Sequence, residues 1–473
     1  MPLQQLLKTF PHKPTPQQKE AFQLLIQFLE SESRREVFVL KGYAGTGKTS
    51  MMGSFIKLLR QIKYPIVTLA PTGRAAKVFE HYTQHPTSTI HRFIYETETS
   101  ADGEMKFNLR ENEDVVPTFY IVDEASMLSN KLEGADFFSK SSTLADLLKY
   151  VFGDSPYHKL LLIGDPAQLP PVGSSESPAL NPAVLRREFE LEVTEIELKE
   201  VVRQSLESGI LLNANSIRTH LEPENLNNKP ILNRHKDIIL LENSQEALDA
   251  FTLYFKPKEQ DNVMIITYSN YLATKINQAI RQGIHYQLED FNLQAGDRVM
   301  IVKNHYMSNN PEMSFIANGE MATVRSVSDI DKKLGMLWTD VELEFADSRN
   351  KPILFTTKVV LDLLYSKEPN LSREKTMHIW TERKKSLLGK KKYISKQELR
   401  KDPYINALQI KFAYAITAHK AQGGQWNNVI ILFENYLQTN NQVNTIDFLR
   451  WTYTAFTRAT EKLYLLDCPF EVK

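Results

Sequence analysis

Gly42, Tyr43, Ala44, Gly45, Thr46, Gly47, Lys48 and Thr49 complete the pattern G-x-x-x-x-G-K-[ST]. Glycines at these places let consecutive backbone N–H groups turn inward around phosphate oxygens. A helix starting behind them adds partial positive charge. Lys48 is placed to reach β- and γ-phosphates, and the Thr49 hydroxyl to ligate Mg²⁺. Gly42, Ala44, Gly45, Thr46, Gly47, Lys48, Thr49 and Ser50 are therefore the candidate cradle for ATP. Asp123 and Glu124 follow the apolar run 119–122, so the first acid suits the metal and the second the attacking water. Gln168 follows the run 160–163 and Gly164-Asp165. A neutral amide there can sense a γ-phosphate or orient water without adding charge.

These groups need rigid elements to hold them. The runs at 37–40, 66–70, 119–122 and 160–163 are short, apolar and joined by helix-compatible segments. They read as buried strands of a parallel sheet, whose ligands bind beyond the strands' carboxyl ends. The same grammar returns at 263–266, 429–432 and 463–466, which predicts a second α/β lobe. Between about 283 and 403 the alternation fades. Gly296-Asp297 and Asn318-Gly319 look like turns feeding antiparallel strands, which predicts an inserted β-barrel-like, SH3-like domain with helices. Asp102-Gly103 is a hairpin signal within 93–117, with a plain surface loop as the alternative. The expected organisation is a first lobe at 1–92 and 118–187, the hairpin at 93–117, a second lobe at 188–282 and 404–473, and the β-rich insertion at 283–403.

Composition bounds the rest. The 473 residues include 57 Lys+Arg and 57 Asp+Glu, which excludes a uniformly polybasic nucleic-acid binder. The zero is a cancellation: residues 373–401 hold eleven basic and three acidic side chains, or +8, so the remainder is −8. That stretch is either a solvated helix or a local phosphate-facing patch. One cysteine, Cys468, excludes a disulfide framework and points to a reducing, cytoplasmic compartment. No apolar run is long enough for a membrane span.

The three site motifs resemble those of superfamily 1 helicases, most closely the RecD/Dda branch. Further matches run from about residue 15 to 466: Pro16-Gln17-Gln18-Lys19, Ala70-Pro71-Thr72-Gly73-Arg74, Ser88-Thr89-Ile90-His91, Val201-Val202-Arg203-Gln204, Thr417-Ala418-His419-Lys420-Ala421-Gln422-Gly423, and Tyr453-Thr454-Ala455-Phe456-Thr457-Arg458. The resemblance implies two RecA-like P-loop lobes with ATP between them. Gln18 would read adenine, while Arg203 and Arg458 would reach the γ-phosphate across the cleft. Gln425 stands where many relatives carry a ribose-binding glutamate. Val202 stands where some carry a base-stacking aromatic.

By the same resemblance a single DNA strand would cross both lobes at Pro71, Thr72, Arg74, Thr89, His91, Thr417 and His419. Such backbone contacts grip without reading sequence. Residues 95–108 would form the pin that splits a fork, with Tyr95 or Phe107 stacking on its base pair. The implied activity is ATP-dependent unwinding of duplex DNA, 5′→3′, by a monomer with no membrane association. The alternative is a DNA-dependent ATPase that translocates or displaces proteins without efficient unwinding. A nucleotide kinase leaves the motifs beyond residue 200 unexplained, and a non-catalytic module leaves the intact hydrolytic residues unexplained.

Overall fold

The computed structural model describes residues 2–99, 105–131, 141–153, 155–202, 208–222, 224–225, 229–256, 259, 262–284, 293–306, 315–346, 352–389, 394–395, 398–399, 401–434 and 445–473. The first lobe is a six-stranded, all-parallel sheet. Its order is Thr87–Thr89, Ile66–Ala70, Phe119–Val122, Lys159–Gly164, Glu36–Gly42 and Glu192–Leu198. Alternation along each strand feeds two cores. Val37 and Val39 enter one with Tyr120 and Leu160, while Phe38 and Leu40 enter the other with Ile121 and Leu161. The sheet therefore extends past the boundary expected at residue 187, because Glu192–Leu198 pairs along Glu36–Gly42.

The second lobe is a five-stranded parallel sheet ordered Ile238–Leu241, Ala459–Leu466, Trp426–Leu432, Val263–Thr267 and Ala415–Thr417. Two parallel sheets flanked by helices make two RecA-like lobes, as expected.

The insertion leaves the second lobe after the helix Asn270–Ile284. Its strands pair antiparallel: Arg298–Ile301 with Met321–Val327, then Met336–Ala346, then Pro352–Val360. Ile410–Phe412 pairs back onto Arg298–Ile301, and a bridge joins Val359 to Leu408, so the pairing path returns on itself. The insertion's last strand thus lies beyond the boundary expected at 403. Val299 and Ile301 share a core with Val263 and Ile265, so the insertion is packed on the second lobe.

A buried polar knot fixes that junction. Asp297 is fully buried and accepts from Arg281 Nε at 3.1 Å, the Tyr414 hydroxyl at 2.7 Å and the Gln294 N–H at 2.7 Å. Arg281 also donates to the Tyr365 hydroxyl at 2.7 Å and lies over the Phe412 ring. Among the described residues, no helix is long and apolar enough to cross a membrane.

Candidate active site between the lobes

The strand Glu36–Gly42 delivers the chain into the P-loop, and the 14-residue helix Lys48–Gln61 starts directly behind it. Gly47 caps that helix in the left-handed region, at φ 82°. A Cβ there would meet the Gln18 side-chain nitrogen at 2.7 Å, so glycine is required on two counts. Lys48 Nζ donates to the Gly42 and Tyr43 carbonyls at 2.5 and 3.1 Å, which folds the ammonium over the loop. The buried Thr46 hydroxyl donates to the Tyr43 carbonyl at 2.8 Å.

Gln18 lines the cleft between the lobes and is held there by its neighbours. It completes a capping box with Thr15 at the start of Pro16–Glu30, and its Nε2 donates to the Thr46 carbonyl at 2.9 Å. Thr15 and Gln18, three positions apart, form that box, a spacing the sequence reading did not use. Gln17 accepts from the N–H groups of Lys199 and Glu200, and the Val202 N–H donates to Gly45 at 3.0 Å. The segment leading to residue 203 is thereby bound to the P-loop. Arg203 itself lies outside the described residues.

Asp123 and Glu124 follow the central strand Phe119–Val122. Glu124 adopts φ 52°, a left-handed conformation uncommon for a side chain, at the turn into a short 3₁₀ helix. Burial, and then the Glu124 carboxylate, push Asp123 up to about 7. Two adjacent acids at such a potential suit a divalent cation, which reverses the repulsion. Asp123 and the Thr49 hydroxyl line one cleft of about 1080 Å³, together with Lys48, Glu124, Gln168, Gln425 and Arg458. Mg²⁺ with a nucleotide fits this donor set. Among the described residues no three His, Cys, Asp or Glu side chains converge as a closed metal cage.

Gln168 is 5% exposed, and among the described residues its side-chain oxygen has no hydrogen-bond partner. An orphaned buried acceptor fits a donor delivered by the substrate complex, such as water. Across the cleft, Arg458 is 4% exposed, and its guanidinium donates to Thr454, Gly424 and Thr457. Those bonds orient it beside the cleft.

Several residues that bind this site together escaped the sequence reading. The Tyr453 hydroxyl donates to Asp165 Oδ2 at 2.6 Å and accepts from the Ala44 N–H at 2.8 Å. The Leu169 N–H donates to Thr454 Oγ1, and Gln422 Nε2 donates to the Leu169 carbonyl. Arg218 of the second lobe stacks on Tyr43 at 3.8 Å, while the Tyr43 hydroxyl donates to Glu197 at 2.7 Å.

The expected DNA-contacting residues fall at strand and helix ends. Pro71 follows the strand Ile66–Ala70. Thr72 caps the helix Gly73–Thr83 through the Ala75 N–H, and Thr89 caps Ile90–Ile94 through the Arg92 N–H. Thr417 ends a second-lobe strand, with His419 on the short helix Ala418–Ala421 behind it. Arg74 is engaged between lobes: its guanidinium lies 4.0 Å from the Trp426 ring centroid and donates to the Gln425 carbonyl at 3.1 Å. Gly423, at φ 71°, lets that turn press against Ala75. His91 lies 5.5 Å from the Tyr95 ring.

The hairpin forms, with Tyr95–Thr99 antiparallel to Met105–Leu109. Its aromatic assignment needs correcting. Tyr95 is 4% exposed and donates to Asp146 at 2.6 Å, so it anchors the hairpin's base and cannot stack on a fork. The hairpin tip at 100–104 lies outside the described residues, as do Lys390, Lys391 and Lys392. Of the basic stretch, Arg383 is buried in a bidentate pair with Asp402 and over Tyr404.

Residues 13–229 match a family model described as an AAA domain, and residues 412–466 match a UvrD-like helicase C-terminal domain. The chain is 24% identical over 509 residues to an uncharacterized protein of Acanthamoeba polyphaga mimivirus, covering 93% of this chain and 97% of that one. It is 28% identical over 144 residues to the ATP-dependent RecD2 DNA helicase of Deinococcus radiodurans, covering 30% of this chain and 17% of that protein. It is 31% identical over 138 residues to the ATP-dependent DNA helicase Pif1 of a Psychrobacter species, covering 28% of this chain and 20% of that protein. A solved structure of Bacteroides Pif1 bound to ssDNA aligns over 96% of this chain and 92% of that one, at 17% identity and TM-score 0.48.

A P-loop, its two acids and a second-lobe arginine line one cleft between the two RecA-like lobes. With the two domain matches in this order, the chain is similar to RecD- and Pif1-type helicases of superfamily 1B.

Proposed function

We propose that this chain is a 5′→3′ DNA motor that draws single-stranded DNA across its two lobes and unwinds the duplex ahead of it. The observation that carries this reading is the composite cleft. Lys48, Asp123, Glu124 and Gln168 come from the first lobe, while Gln425 and Arg458 come from the second. A site split this way links hydrolysis to the distance between lobes, and that distance is what moves DNA.

In this reading the P-loop amides and Lys48 hold the triphosphate. Asp123 and Thr49 would hold Mg²⁺, which supplies charge neutralisation on the phosphates when bound. Glu124 takes the proton from water, Gln168 orients that water, and Arg458 stabilises the transferring phosphoryl. Gln18 lies at the P-loop's edge, where its amide exchanges the Thr46 carbonyl for adenine. The helix caps at Thr72 and Thr89 and the strand end at Thr417 present hydroxyls and amides to DNA phosphates. The single cysteine supports a reducing, cytoplasmic setting, and a cleft lined by both lobes of one chain supports action as a monomer.

One observation bears on the second reading, translocation without strand separation: Tyr95 is buried at the hairpin's base, which leaves Phe107, whose side chain lies outside the described residues, as the stacking candidate. Strand displacement on duplexes with a 5′ or a 3′ single-stranded overhang decides between these. The account expects displacement from the 5′ overhang alone. Displacement only from the 3′ overhang overturns the polarity, and ATP turnover with no displacement selects the second reading.

A further inference from the structure

The loop 165–169 carries Gln168, and the second lobe holds this loop at both ends. At one end the Tyr453 hydroxyl donates to Asp165 Oδ2 at 2.6 Å. The Tyr453 hydroxyl oxygen in turn accepts from the Ala44 N–H of the P-loop at 2.8 Å. At the other end Thr454 accepts from the Leu169 N–H at 3.0 Å, and Gln422 donates to the Leu169 carbonyl at 2.7 Å. Tyr453 and Thr454 are fully buried, and Asp165 is 1% exposed.

We propose that Tyr453 is a positioning residue for ATP hydrolysis. Its hydroxyl ties the P-loop and Asp165 to the second lobe, so that Gln168 reaches its hydrolytic position only when the lobes are closed. The inference rests on the reading that this cleft hydrolyses ATP, and it names the part that makes hydrolysis conditional.

Both bonds of the Tyr453 hydroxyl cross to the first lobe. Opening the cleft withdraws it, leaving Asp165 with the Ala167 N–H as its remaining backbone donor and the Ala44 N–H without this acceptor, which is unfavourable. Asp165 sits within the field of Lys48 and Arg458, so a carboxylate released from Tyr453 competes for the ammonium that should hold phosphate. Ala44 belongs to the phosphate cradle itself, so its N–H changes partner as the lobes move. Packing alone does not require the hydroxyl, because a phenyl ring fills the same space.

The test is Tyr453→Phe in the full chain, with steady-state ATP hydrolysis at saturating oligo-dT. The KM for ATP and the Kd for oligo-dT are measured alongside. Removing a hydrogen bond to a charged group predicts a kcat lowered roughly 10- to 100-fold. KM and Kd should stay within about twofold. Thr454→Val, which keeps shape and loses the Leu169 bond, should lower kcat less. The double variant should lose less than the product of the two, because both residues hold one loop. A Tyr453→Phe chain with wild-type kcat overturns the inference, as does a loss confined to KM, or a Thr454→Val chain with unchanged kcat should the first variant not fold. Wild-type chain with no DNA-stimulated turnover overturns the site reading instead, and this inference falls with it.

Discussion

Lys48 holds its ammonium within hydrogen-bond reach of two P-loop carbonyls, poised over the cradle it must neutralise. Lys48→Ala should abolish DNA-stimulated ATP hydrolysis while oligo-dT binding survives, as read by phosphate release and fluorescence anisotropy. Normal turnover in that variant would refute the phosphate-site assignment. Asp123 gives a second test. Its carboxyl is pushed up to about 7, so the folded state favours its proton. Without a cation, its contribution to stability is present below the ordinary carboxylate range and is lost as pH rises towards 7. A cation must displace that proton below pH 7, so the Mg²⁺ concentration for half-maximal ATPase should rise by up to about tenfold per pH unit as pH falls from 7. A flat Mg²⁺ requirement between pH 8 and 6 contradicts the assignment. The residues of the P-loop were legible because contiguous spacing encodes their chemistry. The Tyr453–Asp165 bond was not, because 288 positions separate its partners.

Elements show a similar division. The central strands were legible as short apolar runs, since burial on both faces removes any alternation. Glu192–Leu198 was not, because it alternates charged and apolar residues, which is what a strand at the sheet's edge does. The hairpin was legible from its turn, but Tyr95's role was not, since only the packed structure brings Asp146 to its hydroxyl. The knot around Asp297 belongs to this scale too. Removing its carboxylate leaves Arg281 buried and unpaired, so Asp297→Ala should lower stability by about 3–5 kcal/mol in urea unfolding. A loss under about 1 kcal/mol would mean that the insertion does not depend on this junction.

For the whole molecule, zero net charge conceals a basic stretch of +8 against an acidic remainder. Part of that stretch is structural, as the Arg383–Asp402 pair demonstrates. If Lys390, Lys391 and Lys392 face phosphates, changing all three to Gln should lower the salt slope of oligo-dT binding by up to about two units. An unchanged slope marks them as solvated surface. The central claim is that the hydrolytic site is completed by the second lobe, and Arg458 tests it most directly. It stands in the same cleft as Lys48, on the opposite lobe. The decisive measurement is the DNA-stimulated kcat of Arg458→Ala at saturating ATP. The account predicts a fall of about 10³-fold or more with ATP still bound; turnover at the wild-type rate would contradict it.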